Sequence, residues 1–389
     1  MTVGPGLANQ PLRLAMVLFR YFPWGGLQAN FLRIAKACLA RGHCVEVYTL
    51  DWQGEQISGL KLNILEMPGR QNITRYTHFA ARVERLTRER RFDLVLGFNR
   101  MPGLDLYYAA DPCFVERIRK TRPWYYPLTA RYRHFQGVEK KLFGSQSQTQ
   151  VLALSQLQID EYTQNYSTPG SRFSLLPPAV QQHYRRDEKA PQLRQAFRKR
   201  YGIAERQWVL LMIGSGYERK GMDRGLRAVA ALPSEVRNLC QIFVLGKGRE
   251  KSLRSLAKRL GLASQLIIVP GTDEVPLYLQ GADLLIHAAR SENTGNVIVE
   301  AIAAGLPVLC SRNCGYAGHV ERAKAGLVID EPFEQAAMNR QFASMLEAQE
   351  LSQWQERALE YAAREDLYSR TEQVVDVIET LASKLQKNA

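Results

Sequence analysis

The stretch that decides the fold is SENTGNVIVE at Ser291–Glu300, which continues as AIAAGLPV at residues 301–308. The apolar run DLLIH at residues 283–287 comes before it and predicts a buried strand, so Glu292 is expected in the loop after that strand. A helix is predicted to begin at the Thr-Gly-Asn turn, which puts Glu300 in its second turn. Eight helical residues rise about 12 Å, and the two carboxylates can therefore reach opposite ends of an extended ligand.

The start of this helix, between the two acids, is a candidate anion site. Its first backbone N–H groups have no partner within the helix, and the helix dipole favours a negative charge there. A carboxylate, an anion site and a second carboxylate, in this order, are what a sugar, a pyrophosphate and a ribose require. The candidate backbone groups belong to Thr294, Gly295, Asn296 and Val297.

Short apolar runs alternate with amphipathic segments along the chain, and this alternation predicts the fold class. The runs are continuously apolar, as in parallel strands that helices cover on both faces. We expect an α/β protein with two Rossmann-like, doubly wound parallel-sheet domains that face a cleft, with ligands at the carboxyl ends of strands. The predicted strands are 12–19, 44–50, 62–67, 93–98, 151–154, 209–213, 241–245, 266–269, 283–287 and 307–310, and predicted helices include 27–41, 76–90, 222–232 and 250–260.

Chain length and a proline-rich connector predict where the two domains meet. A chain of 389 residues is longer than one typical domain. The run LLPPA at residues 175–179 forms a stiff, non-helical connector, and the polar, charge-rich stretch 181–200 follows it. We therefore expect an N-terminal domain at 1–178 and a C-terminal domain at 179–369, with a last helix at about 370–389 that packs back on the first domain.

Composition limits the class of protein. The chain is 46% hydrophobic and 23% charged, but its formal net charge of +14 is unusual. The positive excess is concentrated in the N-terminal half, which indicates a polyanionic partner. The six cysteines have no metal-ligand spacing and are expected to be reduced thiols. Because we find neither a signal peptide nor a run of roughly 20 apolar residues, we expect a soluble, cytoplasmic chain.

The glycine-rich turns distinguish between classes of nucleotide enzyme. GSG at 214–216 and GKG at 246–248 each follow a predicted strand, but Arg219 and Lys251 occupy the place of the third glycine in a dinucleotide fingerprint. Hydride transfer is therefore disfavoured. No P-loop run occurs, and no Asp-x-Asp pair stands at a strand end to hold a metal-bridged diphosphate. We expect no metal site.

Two further segments are candidate phosphate sites. Arg219 and Lys220 precede a predicted helix, where a guanidinium fork and a point charge can neutralise a diphosphate. The alternative, a solvated helix start, is disfavoured because two adjacent cations oppose the helix dipole. Gly25 and Gly26 join the first strand to the first helix and let the backbone approach a ligand, although a Gly-Gly pair can equally be a simple turn.

A segment rich in cations and aromatic residues lies between Cys113 and Phe143. Leu128, Tyr132, Phe135, Val138 and Leu142 follow one another at helical spacing, which predicts a helix with an apolar stripe and cationic flanks, as in an interfacial membrane helix. The alternative is that the stripe packs on the protein core and the cations are solvated. The candidate membrane-binding residues are Arg117, Arg119, Lys120, Arg122, Trp124, Tyr125, Arg131, Arg133, Lys140 and Lys141.

The acid pair and the Arg-Lys pair together resemble the glycosyltransferases of family 4, which have the two-domain GT-B fold. Five further runs point to a narrower group: YFPWGGLQ at 21–28, GFNRMPGLD at 97–105, YYAAD at 107–111, RYRH at 131–134 and CGYA at 314–317. They are similar to the lipopolysaccharide core glucosyltransferases I, which add the first hexose to the inner-core heptose. The similarity extends from about Leu12 to Tyr368.

The resemblance implies a role for each candidate residue of the donor site. Glu292 would bind hydroxyls of the donor sugar, and Glu300 would bind the ribose hydroxyls. Arg219 and Lys220 would hold the diphosphate. The backbone around Gly25, Gly26, Thr294, Gly295, Asn296 and Val297 would assist them.

The resemblance also implies the reaction and its partners. Asp111 would lie near the acceptor hydroxyl, although an Asp before a proline also suits a helix cap. A hexose, most often glucose, would pass from UDP to the heptose of heptosylated lipid A with retention of anomeric configuration and without a metal or cofactor. The enzyme would be peripheral on the anionic cytoplasmic face of the inner membrane. The alternatives are a family 4 enzyme with another donor hexose or lipid-linked acceptor, and a basic nucleic-acid-binding protein without catalytic activity, for which no recognition motif is present.

Overall fold

The computed structural model describes residues 10–68, 72–347 and 351–388. Its strands are β1 (Arg13–Val17), β2 (Arg20–Tyr21), β3 (Cys44–Thr49), β4 (Asp51–Trp52), β5 (Leu60–Ile64), β6 (Leu94–Gly97), β7 (Leu106–Tyr108), β8 (Gln150–Ala153), β9 (Phe173–Leu175), β10 (Trp208–Ile213), β11 (Cys240–Leu245), β12 (Leu266–Val269), β13 (Leu284–His287), β14 (Val308–Ser311) and β15 (Gly326–Ile329). Its helices are α1 (Gly26–Ala40), α2 (Asn72–Arg90), α3 (Phe114–Thr121), α4 (Ala130–Phe143), α5 (Gln156–Tyr166), α6 (Ala190–Tyr201), α7 (Met222–Ala230), α8 (Ser234–Arg237), α9 (Glu250–Arg259), α10 (Val275–Gly281), α11 (Asn296–Ala303), α12 (Ala317–Ala323), α13 (Gln335–Glu347), α14 (Leu351–Arg364) and α15 (Arg370–Asn388).

Two large parallel sheets organise these elements. The first has the strand order β5-β3-β1-β6-β7-β8-β9, and the second has the order β12-β11-β10-β13-β14-β15. In each sheet one strand pairs with two neighbours that follow it at different distances along the chain: β1 with β3 and β6, and β10 with β11 and β13. These are topological switch points, where the following loops diverge and open a crevice for ligands. The predicted α/β class with two Rossmann-like parallel-sheet domains is confirmed.

The chain divides into two compact units. One contains the described residues up to Leu176 together with those from Ser369 onward, and the other is Pro177–Tyr368. Helix α15 belongs to the first unit. Its apolar face is fully buried there, and its acids Asp376 and Glu379 lie 2.6 and 3.1 Å from Nη1 of Arg41. The buried α15 residues are Val374, Val375, Ile378 and Ala382.

The strands are continuously apolar because both faces of each sheet are covered. Along β13, Leu285 packs into one buried cluster, whereas Leu284 and Ile286 pack into the cluster on the opposite face. In β1, Leu14 and Ala15 are divided in the same way between the two faces of the first sheet. Each fully buried leucine or isoleucine contributes about 1.5–3 kcal/mol of hydrophobic stabilisation.

Several strands differ from the sequence predictions. The run predicted at 62–67 pairs as β5 over Leu60–Ile64, and the short strands β2, β4, β7, β9 and β15 are absent from the sequence predictions. Strands of two to four residues show too little periodicity to be recognised, and their partners in the sheet define them. Among the described residues, no helix combines the length and apolar content that a bilayer span requires. All six cysteines are free thiols.

Candidate active site

The Arg-Lys segment and the first acid of the pair meet at the switch point of the second sheet. Arg219 and Lys220 lie in the loop after β10, and Glu292 lies in the loop after β13, as the sequence predicted. Because β10 and β13 are parallel neighbours, their following loops emerge at the same edge of the sheet. Residues 73 positions apart in the chain thereby come into direct contact.

One oxygen of Glu292 binds both cations. Its Oε2 lies 2.5 Å from Nζ of Lys220 and 2.8 Å from Nη1 of Arg219. The side chains of Lys220 and Glu292 are only 12% and 14% exposed, whereas Arg219 is half exposed. Burial by itself would raise the pKa of Glu292, but Lys220 and then Arg219 outweigh this effect and lower it. The two neighbouring cations therefore favour the carboxylate form of Glu292.

Two glycines with positive φ allow close packing around Lys220: Gly214 faces the lysine side chain, and Gly221 faces the loop after β13. Gly214 has a φ of +142°, and a Cβ there would lie 2.8 Å from Cε of Lys220. Gly221 has a φ of +71°, and a Cβ there would lie 1.8 Å from the carbonyl oxygen of Ala288. A larger residue at either position would displace the lysine or separate the two loops.

The loop that carries Glu292 is fixed to the loop after β14. The Glu292 N–H donates to the carbonyl of Asn313 at 3.2 Å, and its own carbonyl accepts from the N–H of Gly315 at 3.2 Å. The N–H of Tyr316 donates to the carbonyl of Thr294 at 2.8 Å. These backbone bonds hold the carboxylate in place without using its oxygens, which stay available for the cations.

Helix α11 begins where the sequence predicted it, at Asn296, with Gly295 as the N-cap at φ +86°. Thr294, Gly295, Asn296 and Val297 therefore form the loop-to-helix turn beside Glu292. The first backbone bond of this turn runs from the N–H of Ile298 to the carbonyl of Gly295 at 2.8 Å. The start of the helix presents amide groups and its positive dipole end beside the ion-paired cluster.

Glu300 lies in the second turn of α11 and is partly buried. Burial raises the pKa of its carboxyl group to about 7, against an opposing effect of Lys220. In the part of the chain that the structure describes, this carboxyl group has no ion-pair or hydrogen-bond partner. It is therefore a free acceptor or donor in the neighbourhood of Lys220.

His287, the last residue of β13, is a member of the site that sequence reasoning missed. Its side chain is buried, and within the described residues neither ring nitrogen has a hydrogen-bond partner. Burial and then the charge of Lys220 lower its pKa to about 3, so the imidazole is neutral at physiological pH. Its position directly before the Glu292 loop was the available signal, but a histidine at the end of an apolar strand is commonly a core residue.

The remaining predicted donor residues lie in the first unit. Gly25 is the N-cap of α1, and Gly26 is the first residue of this helix. A Cβ at Gly26 would meet nothing within 4 Å, so its backbone borders open space. Trp24, immediately before them, is 77% exposed.

Asp111 follows β7 and is exposed. The alternative that it caps a helix is wrong, because α3 begins at Phe114 and its N-cap is Cys113. The backbone carbonyl of Asp111 accepts a hydrogen bond from Nε2 of Gln158 at 2.9 Å. Its side chain lines a cavity of about 700 Å³ within the first unit.

A buried ion pair supports the segment that contains Asp111. Arg100 Nη1 lies 3.0 Å from Oε1 of Glu139, whose side chain is completely buried. The same carboxylate accepts from the N–H of Phe114 at 2.7 Å and from the hydroxyl of Tyr166 at 2.6 Å. Glu139 of α4 therefore joins the start of α3 to the loop after β6.

The basic and aromatic segment differs from its predicted form. Leu128 was predicted within a continuous helix, but α4 begins at Ala130 with Thr129 as its N-cap, and a separate 3-10 turn precedes it. The proline in that turn, Pro127, breaks the pattern. Tyr132 and Leu142 of the predicted stripe are buried, so this part of the stripe packs on the protein.

The exposed apolar side chains of the segment instead cluster around that turn. Trp124 is 87% exposed, Leu128 is 73% exposed and Tyr125 is 54% exposed. Few large hydrophobic side chains elsewhere in the described residues are as exposed, and here three lie within five positions. This group is called the apolar tip below.

The predicted membrane cations fall into three classes. Arg119 and Lys120 pair with Glu116 at 2.7 and 3.4 Å. Three others lie over aromatic rings: Arg117 over Phe114, Arg122 over Tyr126 and Arg131 over Phe135. Arg133, Lys140 and Lys141 are exposed and have no carboxylate partner among the described residues.

No group of three or more His, Cys, Asp or Glu side chains in residues 10–68, 72–347 and 351–388 is arranged to hold a metal ion. Within the ion-paired cluster the positive charges belong to Arg219 and Lys220. These side chains are thus the cations that the described site itself offers to an anionic ligand.

Comparison with known proteins identifies relatives along nearly the whole chain. The family model described as Glycosyltransferase Family 4 matches residues 24–183, and that described as Glycosyl transferases group 1 matches residues 194–365. The lipopolysaccharide glucosyltransferase WaaG of Escherichia coli (strain K12) is 39% identical over 366 residues, which cover 94% of this chain and 98% of that protein.

Solved structures give a matching result. The crystal structure of WaaG, a glycosyltransferase involved in lipopolysaccharide biosynthesis, superposes with a TM-score of 0.83 at 39% identity and covers 94% of this chain and 99% of that one. HepE of Anabaena in complex with UDP-glucose has a TM-score of 0.70 at 17% identity, with 95% and 100% of the two chains covered. The second likeness concerns the fold alone.

Proposed function

This chain belongs to the family 4 glycosyltransferases of the GT-B fold, and we propose that it transfers a hexose, glucose first, from a UDP-sugar to the inner-core heptose of lipopolysaccharide. The observation that carries the donor half of this proposal is the contact of Arg219 and Lys220 with Glu292 at a switch point. Family membership decides against a nucleic-acid-binding protein without catalytic activity.

The two cations act on the leaving group. A nucleoside diphosphate that departs from the sugar gains negative charge at its terminal phosphate, and two fixed positive charges stabilise that charge without reorganisation. In the structure, Glu292 is the ion-pair partner of both cations. Diphosphate binding replaces the carboxylate as their partner and frees Glu292 to accept hydrogen bonds from hydroxyls of the sugar.

Glu300 and the start of α11 bind the other parts of the donor. The amides of the turn at residues 294–297 face a negative charge favourably, which suits a phosphate oxygen. Glu300 has a free carboxyl group that is influenced by the positive charge of Lys220, and a pair of ribose hydroxyls can hydrogen-bond to this group. Since these groups supply both charge and orientation, the reaction needs no metal ion. We infer that it retains the anomeric configuration, with the acceptor hydroxyl attacking from the face that the diphosphate leaves.

The apolar tip supports the membrane part of the proposal. Exposed tryptophan, tyrosine and leucine side chains are unfavourable in water, and their transfer to a bilayer interface lowers the free energy. Cations of the same segment add about 1 kcal/mol each near an anionic leaflet. The acceptor is itself anchored in a membrane, so we assign the enzyme to the cytoplasmic face of the inner membrane.

A donor screen tests the proposed function. Purified heptose-terminated lipopolysaccharide is incubated with UDP-glucose, UDP-galactose or UDP-N-acetylglucosamine, with and without EDTA, and the product linkage is read by NMR. We expect the highest turnover with UDP-glucose, an α-linked product and no loss with EDTA. A β-linked product would overturn retention, and equal turnover with all three donors would overturn the assignment of glucose. Lys220→Ala serves as the inactive control.

A further inference from the structure

The cavity that Asp111 lines lies at the carboxyl edge of the first sheet. Phe19 follows β1 and Asn99 follows β6, and these two strands form the switch point of that sheet. Helices α2 and α4 provide two of its walls, and its volume is about 700 Å³. A cavity of this size at a switch point is large enough for one or two sugar rings.

The lower surface of the cavity is aromatic. The rings of Phe19 and Tyr76 are stacked, with centroids 4.2 Å apart and planes inclined by 6°. Met101 and Pro102 extend this apolar surface. Sugar rings present C–H groups on their faces, and a flat aromatic surface with a few polar groups at its border suits them.

Two polar side chains, Asn99 and Asp111, border the aromatic surface. The side-chain oxygen of Asn99 accepts the N–H of Phe19 at 2.7 Å, which leaves the amide NH₂ of Asn99 as its free donor. The carboxylate of Asp111 has no side-chain partner in the described part of the chain. One donor and one acceptor thus border the aromatic surface, as hydroxyl recognition requires.

The charges that line the cavity do not balance. Arg100 is neutralised by Glu139 at 3.0 Å, and Glu84 is neutralised by Arg88 at 2.6 Å. Arg133 and Lys141 of α4 remain, and neither has a carboxylate partner among the described residues; the Arg133 guanidinium donates only to the carbonyl of Leu128 at 3.5 Å. Against these two cations stands the single acid Asp111.

We propose that this cavity receives the acceptor sugar and that Arg133 and Lys141 bind a phosphate or carboxylate group which the acceptor carries. The inference rests on the proposed glycosyl transfer and adds a requirement for a charged acceptor. Arg133 offers a planar fork to two oxygens of the anion, and Lys141 offers a point charge. Asn99 and Asp111 then hold hydroxyls of the ring on the aromatic surface.

Anionic lipid headgroups present the same chemistry as an anionic acceptor, and the experiment has to separate them. Arg133 and Lys141 line the cavity, whereas the apolar tip belongs to the preceding turn and lines none of it. Within the described residues, Arg133 contacts the tip only through the backbone carbonyl of Leu128. Because both cations line the cavity and the side chains of the tip do not, we assign the two cations to the acceptor. A deacylated acceptor, assayed without vesicles, isolates that role.

The test compares the double variant Arg133→Ala/Lys141→Ala with a control that removes the same charge from the same unit. Lys36→Ala/Arg85→Ala suits this purpose, since both side chains are exposed and line no part of the cavity. Binding of the deacylated acceptor is measured by calorimetry, and UDP-glucose binding is measured separately. We expect the cavity variant to bind the acceptor at least tenfold more weakly, with UDP-glucose affinity unchanged, and the control to match the wild type.

A second acceptor from which the phosphate and carboxylate groups have been removed completes the test. The wild type and the cavity variant should bind this neutral acceptor equally. Equal binding of the charged acceptor by both proteins would overturn the inference, as would a defect that appears only when anionic vesicles are present. If the wild type does not bind UDP-glucose, that result would instead count against the proposed function, because the measurement involves no acceptor.

Discussion

Nζ of Lys220 lies 2.5 Å from Oε2 of Glu292, although the loops that carry them follow different strands. Within this ion-paired cluster, the Glu292 carboxylate offsets part of the positive charge of Lys220 and Arg219. Under the proposed function, we expect a diphosphate to compete with Glu292 for Lys220 and Arg219, and the carboxylate released in this way to accept hydrogen bonds from sugar hydroxyls. We therefore expect this one exchange of partners to couple binding of the diphosphate to binding of the sugar.

The exchange predicts that Lys220→Ala loses catalysis far more than folding. We expect kcat/KM for UDP-glucose to fall by about 100-fold or more, the effect of removing one fixed charge from a developing anion. Steady-state kinetics with far-UV circular dichroism checks both parts. The exposed Arg254, which pairs with Glu250 on α9 at 2.8 Å, provides the matched control Arg254→Ala. Near-normal turnover by Lys220→Ala would refute the role assigned to this lysine.

Glu300 predicts a pH-dependent stability. Its pKa in the folded protein, about 7, lies above its ordinary value of 4.5, so the folded state binds the proton more tightly than the unfolded state. The contribution of protonated Glu300 to the free energy of unfolding is therefore fully present below pH 4.5 and is lost as the pH rises through 7. Glu300→Gln removes this loss and should raise the melting temperature at pH 8 while leaving it nearly unchanged at pH 4. At about 1.4 kcal/mol per pKa unit, the gain is at most about 3 kcal/mol.

Differential scanning calorimetry at the two pH values measures this effect. The exposed Glu360 on α14 gives the control Glu360→Gln, which removes the same charge from the same unit. The same gain at pH 4 and pH 8 for Glu300→Gln would contradict the expected titration. Glu300→Gln should lower the affinity for UDP even though it raises stability at pH 8, because it removes a candidate acceptor for the ribose hydroxyls.

The apolar tip predicts a loss of vesicle binding on substitution. Trp124→Ser/Leu128→Ser removes two exposed side chains, each worth about 1.5–3 kcal/mol on full transfer from water. We expect partitioning into anionic vesicles to fall at least tenfold, as measured by co-sedimentation. Ile64 is 52% exposed on β5, so Ile64→Ser is a control of similar chemistry. Equal partitioning of Trp124→Ser/Leu128→Ser and Ile64→Ser would show that the apolar tip does not contribute to vesicle binding.

The buried pair of Arg100 and Glu139 predicts a large cost when one partner is removed. Glu139→Ala leaves the guanidinium buried without its carboxylate, and it also removes the acceptor of the Phe114 N–H. Breaking such a pair costs about 3–5 kcal/mol of unfolding free energy. Urea denaturation of Glu139→Ala beside Arg100→Met/Glu139→Leu separates the two causes, since the double variant removes both charges. A cost below about 1 kcal/mol for the single variant would show that the charge is compensated elsewhere.

Much of the second unit could be predicted from the sequence because its signals are local. The apolar run of β13, the Thr-Gly-Asn turn and the following helix lie within one continuous stretch, and each was placed correctly. The contact between Arg219 and Glu292 could not be predicted from any pattern in the chain. It arises from the pairing of β10 with β13, which only the folded sheet defines.

The first unit was less predictable because local patterns there have two meanings. The spacing of Leu128, Tyr132 and Leu142 fits one helix, yet the proline between Tyr126 and Leu128 ends that regularity and leaves Leu128 exposed. Tyr132 and Leu142 are buried and belong to the core, whereas Leu128 does not. His287 shows the same difficulty in the second unit, since its missing hydrogen-bond partners are a property of its surroundings.

Because α15 returns to the first unit, the cores of the two units form in a fixed order during synthesis. The second unit is one continuous stretch, Pro177–Tyr368, so its core can form as soon as it leaves the ribosome. The first unit lacks Val374, Val375 and Ile378 until residues 177–368 have been synthesised, and its sheet meanwhile exposes the apolar surface that they cover. At about 5–20 residues per second, synthesis of the intervening unit takes roughly 10–40 s. The core of the first unit is thus completed only after the whole second unit has been synthesised.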